Sequence, residues 1–199
     1  VNAEGTFEIF KNIDWYKIKI FHGHTAYGLH KYLPKDIVCK YITFLREPYE
    51  RLLSFHDYLQ WIEAIHSSIG VSEWIRGAHP ASFDNGMVRQ IAGMEKIIHD
   101  RVPVYDVTSA DLDTALENIS KFCFVGLQET FTESVECMSR ILGWKEIPKY
   151  ENFNVVPNRV HYNKISRDAK ILLQHANKFD LLLFKSAQDI NTKFIKQGE

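Results

Sequence analysis

Apolar and polar positions divide this chain into segments of two periods. Residues 17–21 alternate lysine with isoleucine up to Phe21, a period-two pattern that predicts a strand running into a histidine pair. Residues 28–33 predict a short helix stopped by Pro34. The run Tyr41-Ile-Thr-Phe-Leu45 is denser in apolar side chains and suits a central strand buried on both faces. Pro48 then belongs in the first turn of a helix, where its missing N–H does no harm. Leu52, Phe55, Leu59 and Ile62 mark one face of that helix, to about residue 65.

The rest of the chain is read in the same way. Residues 67–103 are the least regular, with helical pieces over 71–76 and 86–91. Leu112, Leu116 and Ile119 form a stripe on a helix over 111–122, with Ser109 as its expected N-cap. Residues 123–127 read as a second buried strand, and 131–142 as a helix closed by Gly143. Residues 149–167 show no period, and 168–195 are helical with a break near Asn177. Strands alternating with helices predict an α/β fold with a mainly parallel sheet.

With 45% hydrophobic and 25% charged residues, the 199-residue chain is expected to form one domain around one core. A formal net charge of −1 and a pI near 6.8 argue against a nucleic-acid binder. No apolar run approaches the roughly 20 residues that span a bilayer, so no membrane segment is expected. Cys39, Cys123 and Cys137 are odd in number and lack metal-ligand spacing, which favours a reducing, cytoplasmic compartment. Asn118-Ile-Ser120 is a formal glycosylation sequon inside a helical pattern.

The join from residue 41 to 54 carries the most chemistry. A strand that ends at Arg46 delivers a guanidinium to the sheet edge where α/β folds bind ligands. The helix begun by Pro48 adds N–H groups and the positive end of its dipole. A phosphate suits such a place, whereas the bland reading of Arg46 is a surface ion pair with Glu47 or Glu50. Arg51 reads as structural. His22 and His24 would share a strand face. There they could act as a base on a hydroxyl, hold a metal, or be ordinary polar surface; a metal would need a third ligand that no spacing marks.

Arg46-x-Pro48-x-x-Arg51-x-x-Ser54 after a strand resembles the 3′-phosphate motif of sulfotransferases that use 3′-phosphoadenosine-5′-phosphosulfate (PAPS). Phe21-His22-Gly23-His24 resembles the His-Gly-His segment of the carbohydrate (Golgi-type) 2-O-sulfotransferases, and Phe124-Val-Gly126-Leu-Gln-Glu129-Thr-Phe131 a strand-to-helix segment of the same family. Asn85-x-x-x-Arg89-x-x-x-Gly93 resembles a helix common in carbohydrate sulfotransferases, to be read as an acceptor-side helix or an amphipathic surface helix.

The resemblance implies a three-layer, P-loop-NTPase-like sulfotransferase fold. Arg46 and Ser54 would hold the 3′-phosphate of PAPS and of its product PAP, and Arg159, in the basic loop 157–164, would close over the nucleotide. His24 would serve as catalytic base with His22 tuning it, and no metal would be required. The acceptor would be a hydroxylated small molecule or a glycan. The chain departs from the family at its start, where no Lys-containing Gly/Ser/Thr loop for the 5′-phosphosulfate precedes His22. The expectation is a missing N-terminal strand–loop–helix, or else a degenerate member that cannot hold the sulfonate donor, and a Golgi lumen location is the alternative if an anchor was removed. A second function class is a non-catalytic nucleotide- or phosphosugar-binding α/β domain related to P-loop kinases.

Overall fold

The computed structural model describes residues 13–23, 25–77, 83–93, 107–152, 156 and 159–197. Its sheet has two parallel strands, β1 (Ile42–Leu45) and β2 (Phe124–Leu127), in register Ile42↔Phe124 to Leu45↔Leu127. The chain between them carries α1 (Pro48–Trp61), α2 (Val71–Gly77), α3 (Gly86–Ala92) and α4 (Ser109–Ile119). After β2 follow α5 (Phe131–Ile141), α6 (Arg167–Ala176) and α7 (Lys178–Gln197). The arrangement is mixed α/β with parallel pairing, as the alternation of periods predicts. Among the described residues the sheet has two strands, fewer than the layered sheet expected.

One expected strand does not form. Residues 15–17 make a 3-10 turn, and Ile18 and Ile20 are 44% and 73% exposed. Alternation specifies a strand only when a partner and an apolar face receive it. Neither is present among the described residues at this place.

β2 is buried throughout, with α5 and α7 packed against it. Asn191 of α7 donates to the Val125 carbonyl and to Ser134 Oγ, which in turn accepts from the Leu127 N–H. These bonds satisfy buried backbone groups that would otherwise cost about 1–3 kcal/mol each. Gly126 faces the Phe44 ring so closely that a Cβ there would lie 2.5 Å from Phe44 Cε1. One core cluster joins Leu45, Val88, Ala115, Val125 and Leu183; the other joins Leu52, Leu53, Trp74, Phe83 and Leu173 beneath α1.

The break at Asn177 is built from reciprocal caps. Asp180, early in α7, accepts the N–H groups of Met87 and Val88 at the start of α3, at 3.1 and 2.8 Å. Asn85, the N-cap of α3, accepts through Oδ1 from Phe179 and Asp180 N–H at 2.8 and 3.2 Å. Each helix start thereby supplies the acceptor that the other lacks. Arg51 of α1 approaches Asp180 at 3.5 Å and lies against Gly86. Burial pushes the Asp180 carboxyl above the usual carboxylate range, against the pull of Arg51 and the two N–H donors.

Candidate anion-binding site

Arg46 follows the last residue of β1 and precedes the first turn of α1, at the C-terminal end of the parallel pair. Its guanidinium is half-buried and makes no hydrogen bond or close ion pair among the described residues. Burial, and after it the neighbouring Arg159, pushes its pKa down, while Glu50, Glu129 and Glu47 pull it up. The surface ion pair weighed from the sequence does not form: those carboxylates act on Arg46 through the field, and their direct contacts go elsewhere.

Arg159 is brought to this place by Glu50. Its Nη2 donates to Glu50 Oε2 at 2.7 Å and to the Glu50 carbonyl at 3.0 Å, across 109 positions of sequence. Its Nε is buried and has no hydrogen-bond partner among the described residues. The segment after Arg159 lies along α1: Val160 N–H donates to Asp57 at 2.8 Å, and Tyr162 stacks on Tyr49 with centroids 4.8 Å apart. Burial, with smaller contributions from Tyr162 and Glu47, pushes the Tyr49 phenol up to about 12. Two guanidiniums therefore share one half-buried place, with a whole fork and one orphaned N–H available to an acceptor.

The helix N-terminus differs from the expectation. The sequence suggests unpaired N–H groups there, but Glu47 is the N-cap of α1 and its carboxylate accepts from Glu50 N–H at 2.7 Å. The Glu47 N–H itself donates to Glu129 Oε1 at 2.7 Å. A carboxylate of the chain thus holds the position where a phosphate was expected to meet the backbone. The Glu47-Pro48 step was the available signal, because an acceptor side chain directly before a proline at N1 stands where an N-cap meets the N3 N–H. Glu129 lay inside a quoted motif without a role; no local signal marks it as a neighbour of Glu47.

The other expected residues fall unevenly. Ser54 is on the second turn of α1, half-buried, and lies four residues from Glu50, on the face that meets Arg159. His22 is exposed in an irregular segment, so the argument that placed it and His24 on one strand face does not hold. His24 itself lies outside the described residues, as do Pro157 and Asn158 of the basic loop. The 84–93 helix is neither an acceptor-side surface nor an amphipathic surface helix: Asp84 and Arg89 are fully buried and paired with each other. Gly93, at φ +76, closes α3 where a Cβ would sit 2.6 Å from the Tyr27 carbonyl oxygen. That motif is structural here.

No protein-family model, curated protein or solved structure matches this chain. Among the described residues, no helix is long and apolar enough to cross a membrane, and no three His, Cys, Asp or Glu side chains are grouped to hold a metal ion.

Proposed function

We propose that this chain carries the 3′-phosphate half of a PAPS-binding site and belongs to an O-sulfotransferase of P-loop-NTPase-like, three-layer architecture. The observation that carries the reading is the meeting of Arg46 and Arg159, both singled out from sequence for the same nucleotide. Each retains donors without a partner among the described residues. Donors of this kind fit a phosphate, which accepts two parallel bonds from a guanidinium. Ser54, on the adjoining face of α1, adds a neutral hydroxyl donor.

In this reading His24 takes the proton of an acceptor hydroxyl as that oxygen forms its bond to sulfur, and the bond from sulfur to the phosphate oxygen breaks to release PAP. His22 is the neighbour that tunes His24. Positioning and charge stabilisation supply most of the rate in such transfers. The acceptor is a hydroxylated small molecule or a glycan of low charge.

Calorimetric titration of the full-length protein with PAP and with 5′-AMP tests the reading. A charge-assisted hydrogen bond is worth about 1.5–3 kcal/mol. Arg46→Ala should therefore weaken PAP by at least about tenfold and leave 5′-AMP nearly unchanged. His24→Ala should lower turnover by about 10²–10⁴ with PAP affinity near wild type. Equal losses for both nucleotides would remove Arg46 from a 3′-phosphate site. PAP binding without sulfuryl transfer would favour a non-catalytic nucleotide- or phosphosugar-binding domain.

A further inference from the structure

The Arg46–Arg159 place is not a simple basic patch. Three carboxylates, Glu47, Glu50 and Glu129, act on the Arg46 charge, so an incoming dianion meets as many acids as bases and one more. The contacts of Glu50 identify its role as holding Arg159, at 2.7 Å. Glu129 is exposed and tied to the Glu47 backbone at 2.7 Å. Glu47 is half-buried, and its side chain lies against the helix start that would otherwise welcome an anion.

We propose that Glu47 is the proton-taking partner of this anion site, so that a dianion binds at Arg46 together with a proton on the Glu47 carboxyl. The proposal rests on the anion-site reading above and adds to it a linkage between ligand and proton.

The groups that face Glu47 set the direction. From α1 come Glu50 and the Tyr49 phenol; from the turn before α5 comes Glu129; from the end of β1 comes Arg46, with Arg159 and His161 reaching the same Glu50 carboxylate from the far loop. Burial is the largest cause that raises the Glu47 carboxyl above its ordinary range, and Glu50 and Glu129 add to it. The N–H groups of Glu50 and Tyr49 pull the other way. An anion on Arg46 brings further negative charge to the same small space, so it raises the Glu47 pKa again. By linkage, a group whose pKa is higher in the bound state takes up a proton on binding. Affinity then increases as pH falls through the Glu47 range, by up to tenfold per pH unit between its free and bound values, and levels off below both. Protonation leaves the carbonyl oxygen of the Glu47 side chain able to accept from Glu50 N–H, so the cap is kept.

Inorganic sulfate is the probe, since it stays dianionic across the carboxylate range and contributes no titration of its own. Sulfate is titrated calorimetrically into the full-length protein at several pH values from 5 to 8, in pairs of buffers that differ in ionisation enthalpy, so that protons are counted directly. Wild type should take up a fraction of a proton per sulfate bound, with affinity rising as pH falls. Glu47→Gln keeps the oxygen cap and removes the charge; it should bind sulfate severalfold more tightly at the upper end of that range and show little proton uptake. Glu129→Gln should retain most of the uptake. Sulfate binding that requires Arg46 but takes up no proton, or uptake unchanged in Glu47→Gln, overturns the inference and leaves the anion site standing. Sulfate binding that survives Arg46→Ala unaltered overturns both.

Discussion

At the scale of single residues, the polar positions that sequence marked are those whose reason is local. Arg46 was legible because a strand end, a proline at N1 and a helix start are contiguous features. Glu47 was equally contiguous, yet its capping of α1 differs from the unpaired N–H groups that the sequence suggests there. Its effect on an anion was not legible either, because Glu129 reaches it from the end of the neighbouring strand, 82 positions away. Gly126 illustrates the same division. A glycine in a strand reads as a close approach, and the structure supplies the object approached, the Phe44 ring, itself wedged against Phe124 and Phe131. Gly126→Ala should cost about 1–3 kcal/mol of stability, as other insertions into packed cores do. Denaturant unfolding would measure the loss, and Phe44→Leu in the same chain should recover part of it. A neutral Gly126→Ala would mean that the Phe44 ring moves aside freely.

Elements were predicted more faithfully than their roles. The strands fall at 42–45 and 124–127, and the helix starting at Pro48 and the break at Asn177 lie where periodicity and punctuation place them. The Ser109 cap moves one residue to Thr108, which is extended and completes a capping box with Asp111. Residues 84–93 were the larger surprise. Its polar signature, Asp84, Asn85 and Arg89, reads as a surface or a site, yet every one of these side chains is buried. Asn85 joins Asp180 in the reciprocal caps of α3 and α7, and Asp84 and Arg89 pair with each other beside them. Asp180→Ala would leave the Met87 and Val88 N–H groups without their acceptor and Arg51 without that carboxylate. Breaking a buried pair of this kind costs about 3–5 kcal/mol, so thermal unfolding should fall by many degrees. A loss below about 1 kcal/mol, the value of an exposed ion pair, would show that water replaces the carboxylate there.

For the whole molecule, the candidate site is assembled from the end of β1, the first turns of α1, the turn before α5 and the segment at Arg159. A ligand that bridges Arg46 and Arg159 therefore joins parts of the chain that unfold together, and its binding should appear as global stability. At a PAP concentration 100 times its dissociation constant, mass action contributes about 2.7 kcal/mol. That corresponds to a rise in Tm of roughly 5–10 °C for a domain of this size. Differential scanning calorimetry should show that rise in wild type and a much smaller one in Arg46→Ala at the same PAP concentration. An equal rise in both would place PAP elsewhere on the protein.

Periodicity, caps and turn residues act over three or four positions, so one sequence was enough to find most helices, both strands and the strand–arginine–helix join. The alternating segment at 17–21 shows the limit of such information, since a strand also needs a partner that local pattern does not supply. The tertiary structure alone decided which donors meet which carboxylates: the Glu47 N–H with Glu129 across 82 positions, the Val88 N–H with Asp180 across 92, and the Arg159 guanidinium with Glu50 across 109. Those pairings depend on how helices pack around two strands, and packing is selected by the burial of the core as a whole. The same process left Arg46 without a direct partner among the described residues and set three acids beside it, a balance of charge that no stretch of the sequence contains by itself.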